Sequence, residues 1–312
     1  MSYVKKLSSL IILVAIFIFA FSSITYAGEI QVYTSVFPVY DLAEKIAGDD
    51  IDISLVVPAG AEIHSYEPSP RQIARLEEGD LFLYIGENLV PWTEGAVDNL
   101  EQSPTKTVKL SEELELIKYG EEHHHGHEED HHHDHDHGVY DPHVWLDPIN
   151  MEIMGERIME EFINLRPERE EAFRERYENL RGKLRELDQE YQEGLQDRQK
   201  DHILVSHAAF NYLAERYELK QLSVSGIAPH AEPSPGAIAE LIDLVEKYEI
   251  EYIFKEKLAS PQLVEVLADE ADLEVLLLDP VAGLTAEEEE RGEDYFSLMY
   301  NNLENLKKAL VD

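Results

Sequence analysis

Four residues in this chain stand where a metal could be held. His64 lies in Gly60-Ala61-Glu62-Ile63-His64-Ser65-Tyr66-Glu67-Pro68, and His143 in Asp141-Pro142-His143-Val144-Trp145-Leu146-Asp147-Pro148. His207 lies in Val205-Ser206-His207-Ala208-Ala209-Phe210, and Asp279 stands just before Pro280. Neutral imidazole suits borderline divalent ions such as zinc, copper and nickel. Three imidazoles and a carboxylate make a tetrahedral zinc shell, with donors at about 2.0 to 2.2 Å. Glu62 or a water molecule could fill the fourth position instead of Asp279. A histidine taken alone is more often a buried or surface residue without a ligand, so their shared placement carries the argument. His202 opens its strand, away from the others, and His230 precedes a Glu232-Pro233-Ser234-Pro235 loop; neither is read as a ligand.

A second source of ligands is the run from His123 to His137. It holds nine of the chain's fourteen histidines: His123, His124, His125, His127, His131, His132, His133, His135 and His137. Glu128, Glu129, Asp130, Asp134 and Asp136 are interleaved with them. The run offers nothing apolar to bury against the entropy of ordering it, so it reads as a loop over 121–138 and an accessory, weak metal site. The plainer alternative is an acidic solvated insertion.

The elements that must position these residues follow from periodicity. Ile30 to Val36, Ile51 to Val57, Asp80 to Ile85 and Lys106 to Leu110 read as strands. Helical patterns lie between them at Tyr40 to Ala47, Ser69 to Glu77 and Pro91 to Asn99. The same alternation returns with strands at His202 to Ser206, Lys220 to Ser225, Glu251 to Lys255 and Glu274 to Leu278, and helices at Ala208 to Tyr217, Pro235 to Lys247 and Pro261 to Ala271. A helix over Asn150 to Leu165 precedes a longer one from Glu168 to about Leu195, where Phe173, Tyr177, Leu180, Leu184, Leu187 and Tyr191 recur every three or four residues. The expected fold is α/β: two lobes, each a four-stranded parallel sheet flanked by helices, joined by one long α-helix. The expected lobes are 28–165 and 198–312, with the linking helix within 166–197. Ligands of open α/β sheets bind at the carboxyl ends of strands, which here selects loops from both lobes and places the metal site in the cleft between them.

Residues 1–27 read as an export signal, with Lys5 and Lys6 before an apolar segment and Thr25-Tyr26-Ala27 as a cleavage site. An uncleaved membrane anchor is the alternative, because the uncharged run is just long enough to span a bilayer. The 312 residues contain no cysteine, which excludes disulfides, thiolate zinc sites and cysteine nucleophiles. An exported protein without an N-terminal lipid anchor points to a periplasm. The net charge of −39 argues against nucleic acid as a partner, since the phosphates would be repelled. The chain lacks the His-Glu-x-x-His helix of many metalloproteases.

Taken together, these segments resemble the metal-binding periplasmic solute-binding proteins of bacterial ABC uptake systems, and within them the zinc-specific, ZnuA-like members. The resemblance runs through Gly60 to Ser69, Asp141 to Pro148, Ser206 to Leu213 and Leu278 to Pro280, together with the His-rich insertion. It implies that His64, His143 and His207 bind the metal and that Asp279 is the fourth ligand, as in some members, or is replaced by water, as in others. The family commonly carries proline where this chain has Ile63. Manganese-binding relatives place glutamate at the position of His207, so histidine there favours zinc, in line with the chemistry of nitrogen donors. The implied function is zinc capture and delivery to the membrane permease of an ABC importer by a monomer that is not an enzyme, with a periplasmic metal chaperone as a further partner. Binding should weaken as pH falls through about 6.5, where imidazoles protonate. The alternatives are a manganese- or iron-type binding protein or adhesin of the same fold, and a zinc hydrolase.

Overall fold

The structure is a computed structural model that describes residues 30–86, 92–118, 140–226 and 234–311. Residues 1–27, read above as an export signal, the histidines of the 123–137 run and His230 lie outside the described residues. The first lobe is built on β1 (Gln31–Thr34), β2 (Asp52–Leu55), β3 (Leu81–Tyr84) and β4 (Lys106–Lys109), all parallel, in the order β2-β1-β3-β4. The second repeats the plan with β5 (His202–His207), β6 (Lys220–Ser225), β7 (Tyr252–Lys255) and β8 (Glu274–Leu277), in the order β6-β5-β7-β8. A parallel arrangement needs a crossover between strands, and helices supply it. The central strand β3 reads Leu-Phe-Leu-Tyr without alternation because it is buried on both faces.

The first lobe carries helices α1 (Phe37–Ala47), α2 (Pro70–Glu77) and α3 (Trp92–Leu100). Helix α1 starts earlier than its apolar periodicity suggests, because Pro38 in its first turn already holds the helical φ. Helix α2 is stopped at its front by a capping box: the Ser69 hydroxyl accepts the Gln72 N–H, and the Gln72 side chain accepts the Ser69 N–H at 2.9 Å. Two long helices follow, α4 (Pro148–Leu165) and α5 (Glu170–Gly194). The expected face of α5 is buried: Phe173, Tyr177, Leu180, Leu184, Leu187 and Tyr191 are each at most 4% exposed. Each contributes about 1.5–3 kcal/mol of burial. At 1.5 Å per residue its 25 residues span about 37 Å. It packs on α4 and α1 and joins the lobes, and a bidentate pair from Arg185 to Glu152 fastens it to α4 at 2.7 and 2.8 Å.

The second lobe carries α6 (Asn211–Arg216), α7 (Pro235–Lys247), α8 (Gln262–Ala271), α9 (Ala286–Arg291) and α10 (Tyr295–Leu310). Helix α6 begins three residues later than Ala208. The amides of Ala208 and Phe210 bond to Gly226 O at 3.1 Å and the Gln221 side chain at 2.7 Å, and residues 207–210 form an irregular link between β5 and the helix. Helices α9 and α10 are absent from the sequence reading, although Tyr295, Leu298, Met299, Leu303, Leu306 and Leu310 have helical spacing and are buried. Helix α10 covers the far side of α5, and Tyr191 donates to Met299 O at 2.6 Å.

The lobes meet through directed bonds. Trp145, fully buried, donates its indole N–H to Pro280 O at 2.7 Å, and Tyr295 donates to Trp145 O at 2.8 Å. Gly60 donates to Leu284 O at 2.7 Å from a backbone with φ +79°, a conformation that favours glycine. Among the described residues no helix is long and apolar enough to cross a membrane.

Candidate metal centre

Three loops from two lobes converge. His64 sits on the loop after β2. Glu62 shapes its turn, with both carboxylate oxygens accepting backbone N–H groups, from His64 at 2.8 Å and Ser65 at 3.0 Å. Ile63, 2% exposed, anchors the loop in the core where a proline ring would have stiffened it. Further along, Tyr66 accepts a hydrogen bond at 2.7 Å from Gln72, the residue that also closes the cap of α2. His143 lies in the tight turn leading into α4, whose first amide is capped by Asp147 (Ile149 N–H to Oδ1, 2.8 Å) with Pro148 at the first position. His207 ends β5.

The two buried imidazoles are fixed by carboxylates. His143 Nδ1 is 2.8 Å from Asp141 Oδ1, which also accepts the His143 backbone N–H at 2.9 Å. His207 Nδ1 contacts Glu256 Oε1, which also takes the Ser206 hydroxyl. A carboxylate cannot donate, so each ring places its proton on Nδ1 and turns the Nε2 lone pair outward. Both Nε2 atoms are buried without a hydrogen-bond partner. A buried acceptor left bare costs about 1–3 kcal/mol, and a cation at that point removes the penalty.

The three rings are spaced for one ion. Their centres are 5.4 Å apart for His64 and His143, 5.7 Å for His64 and His207, and 5.4 Å for His143 and His207. A tetrahedral ion about 2.05 Å from each nitrogen puts the ring centres about 5.2 Å apart. One nitrogen from each ring falls within 4.8 Å of the other two. They line a cavity of about 20 Å³ together with Glu62, Glu256, Lys257, Asp279 and Pro280. That is room enough for one ion or water molecule.

Asp279 is in the wall of this cavity but outside the group of mutually close donors. Its Oδ1 accepts the Val281 N–H at 2.8 Å, and its Oδ2 stands 2.5 Å from Lys257 Nζ. Burial pushes this carboxyl up and Lys257 pulls it back only in part. His202 is remote from the site: it stacks on Tyr248 with ring centres 3.7 Å apart and pairs with Asp201.

Residues that sequence reasoning did not assign do much of the positioning. Asp141 accepts from Asn211 on α6 through its second oxygen at 2.8 Å, and its carbonyl accepts from Tyr212 at 3.0 Å. Asn211 is locked in turn, its Oδ1 accepting from Gln221 at 2.6 Å. Glu256 and Lys257 directly follow β7, so the rule that picked His207 and Asp279 at sheet ends also selects them.

Comparison with known proteins agrees with this geometry. A family model described as "Zinc-uptake complex component A periplasmic" matches residues 32–309. The zinc-binding lipoprotein AdcA of Streptococcus pneumoniae (strain ATCC BAA-255 / R6) is 38% identical over 311 residues, covering 98% of this chain but 61% of that protein. This chain therefore spans less than two thirds of that relative's length. The high-affinity zinc uptake system protein ZnuA of Bacillus subtilis (strain 168) is 31% identical over 316 residues and 98% of each chain. The crystal structure of the Zn(II)-bound ZnuA-like domain of S. pneumoniae AdcA superposes with a TM-score of 0.76 at 35% identity, covering 91% of this chain and 100% of that one. With its family match running through both sheets, the linking helix and all three converging histidines, the chain belongs to the periplasmic zinc-uptake component A (ZnuA) family.

Proposed function

We propose that this protein captures zinc in the periplasm and presents it to the permease of an ABC importer. The observation that carries the reading is the pair of buried, carboxylate-fixed imidazoles, His143 and His207, whose bare Nε2 atoms meet His64 in a cavity the size of one ion. Zinc is the cargo, and no covalent chemistry is involved. Three nitrogen donors suit zinc better than manganese, which prefers oxygen and higher coordination. The fixed Nδ1 protons mean that little tautomer or rotamer freedom is lost when the ion arrives, which favours tight binding. The names of the pneumococcal and Bacillus relatives point to the same metal.

The His-rich run acts as an accessory. The described residues on either side of it meet next to the site: Lys118 bridges Tyr140, and Asp141 N–H donates to Ile117 O at 2.9 Å. Zinc titration of the full chain, of a variant lacking residues 121–138 and of a variant with His64, His143 and His207 all changed to alanine tests the assignment. One tight site plus weak extra sites is expected for the full chain. The tight site should survive the deletion and vanish with the three histidines. If the deletion removes tight binding, the reading is wrong.

A further inference from the structure

Lys257 lies in the wall of the metal cavity, and its ammonium is seated between two fixed carboxylates. It is 2.5 Å from Asp279 Oδ2 and 2.7 Å from Glu288 Oε2, with its side chain only 10% exposed. Glu288 is held by the cap of α9, where Thr285 N–H and Oγ1 reach its Oε2 at 2.8 and 3.0 Å. Asp279 is held by its backbone: its N–H donates to Asn302 Oδ1 at 2.8 Å, and its carbonyl accepts from Asn302 Nδ2 at 2.7 Å. Oδ1 is held against the Val281 N–H, so Oδ2 is the oxygen freer to turn toward a metal. The close partner of Oδ2 is the Lys257 ammonium, whose charge holds it in place.

We propose that Lys257 is a specificity-determining residue: its charge keeps Asp279 out of the metal's coordination shell, leaving three nitrogens and one open position. The inference rests on zinc being held by His64, His143 and His207. To enter a tetrahedral shell, Oδ2 would have to come within about 3.4 Å of each imidazole donor. It falls outside the set of donors that lie within 4.8 Å of one another. Its entry would strand a nine-tenths-buried ammonium with Glu288 alone, and an uncompensated buried charge is strongly unfavourable. An added carboxylate would raise affinity for every divalent ion, and most for harder ones such as manganese. Withholding it lowers absolute affinity and sharpens the preference for zinc.

The test uses the full chain with Lys257→Met, Asp279→Asn and the double variant, titrated with zinc and with manganese against a chelator. The visible spectrum of bound cobalt(II) reports the donor set independently. Lys257→Met should bind zinc about tenfold or more tightly, gain still more for manganese and shift the cobalt bands. The double variant, which lacks both the ammonium and the carboxylate, should bind zinc within about threefold of the parent and so lose the gain. The inference is overturned if Lys257→Met gives no gain, or gives the same gain when combined with Asp279→Asn, because Lys257 would then act through charge repulsion alone. Should Lys257→Met fail to fold, Asp279→Asn still decides through the cobalt spectrum: unchanged bands with Lys257 in place support the inference, and shifted bands would show Asp279 among the donors and overturn it. Failure of the parent chain to bind zinc, or tight binding that persists without the three histidines, would instead refute the site itself.

Discussion

Changing Asp141 to asparagine alters one oxygen for one NH2 group, yet it should cost about 100-fold in zinc affinity. Asp141 Oδ1 receives the ring N–H and the backbone N–H of His143, at 2.8 and 2.9 Å, and Oδ2 receives Asn211 Nδ2 at 2.8 Å. All three partners are donors, and a carboxylate can accept from all of them. An asparagine must point its NH2 at one side. Asn211 cannot flip to accommodate it, because its own Oδ1 is taken by Gln221, whose Oε1 is taken in turn by the Phe210 N–H. The new amide therefore keeps its oxygen on the two N–H groups of His143, because the backbone one cannot accept, and sets its NH2 against the Asn211 NH2. The ring keeps its proton on Nδ1, but it loses the carboxylate's negative charge and the bond to Asn211 is broken. Outer partners of ligating histidines are worth about 10–100-fold in affinity, or about 1.4–2.8 kcal/mol, and losing both the charge and the Asn211 bond belongs at the upper end. Chelator competition measures the affinity, and nitrogen–proton correlation spectra of the imidazole read the tautomer directly. The reasoning is refuted if affinity stays within about threefold, or if the His143 proton moves to Nε2.

Two further perturbations probe what holds the lobes in register. Arg216 grips Asp188 on the linking helix with two bonds, 2.8 and 2.7 Å, while Tyr217 adds a third at 3.2 Å. Burial alone would raise the Asp188 carboxyl, but the bonds and charge of Arg216, with Gln192 and Tyr217, outweigh it and hold the carboxyl below its ordinary value. A depressed carboxyl adds stability that is present above its unfolded value and is lost as pH falls through its folded one. Arg216→Met should therefore lower stability by about 1–3 kcal/mol in urea at neutral pH, and the loss should shrink below about pH 4, where Asp188 is protonated in the unfolded chain. Tyr295→Phe removes the bond to Trp145 O at 2.8 Å between two fully buried groups and should cost about 1–2 kcal/mol by the same assay.

Much of this molecule was legible in its residues, for identifiable reasons. The eight strands could be read because each is a short apolar run bounded by turn residues, and the linking helix because Phe173 to Tyr191 keep a helical period on an otherwise charged sequence. His64, His143 and His207 could be read as neighbours because sheet topology sends strand ends to one edge. Helix α6 starts later than its apolar pattern because the link before it, residues 207–210, is tied to Gly226 and Gln221, a tertiary effect with no local signature. The grip of Lys257 on Asp279 was hidden for the same reason: the two follow different strands, and nothing in a run of residues says which charges will be buried together. Asp141 was in view two residues before His143, but only the fold shows Asn211 waiting on its other oxygen.

That double attachment of Asp141 ties two events into one equilibrium. One oxygen orients a ligand of the metal, and the other is held by a helix of the opposite lobe. Linkage requires that the ion strengthen the contact between lobes by the same factor by which that contact strengthens the ion's binding. Parting the lobes would break the Asn211 bond to Asp141 and weaken the hold on an ion, and an ion's departure would in turn loosen the lobes.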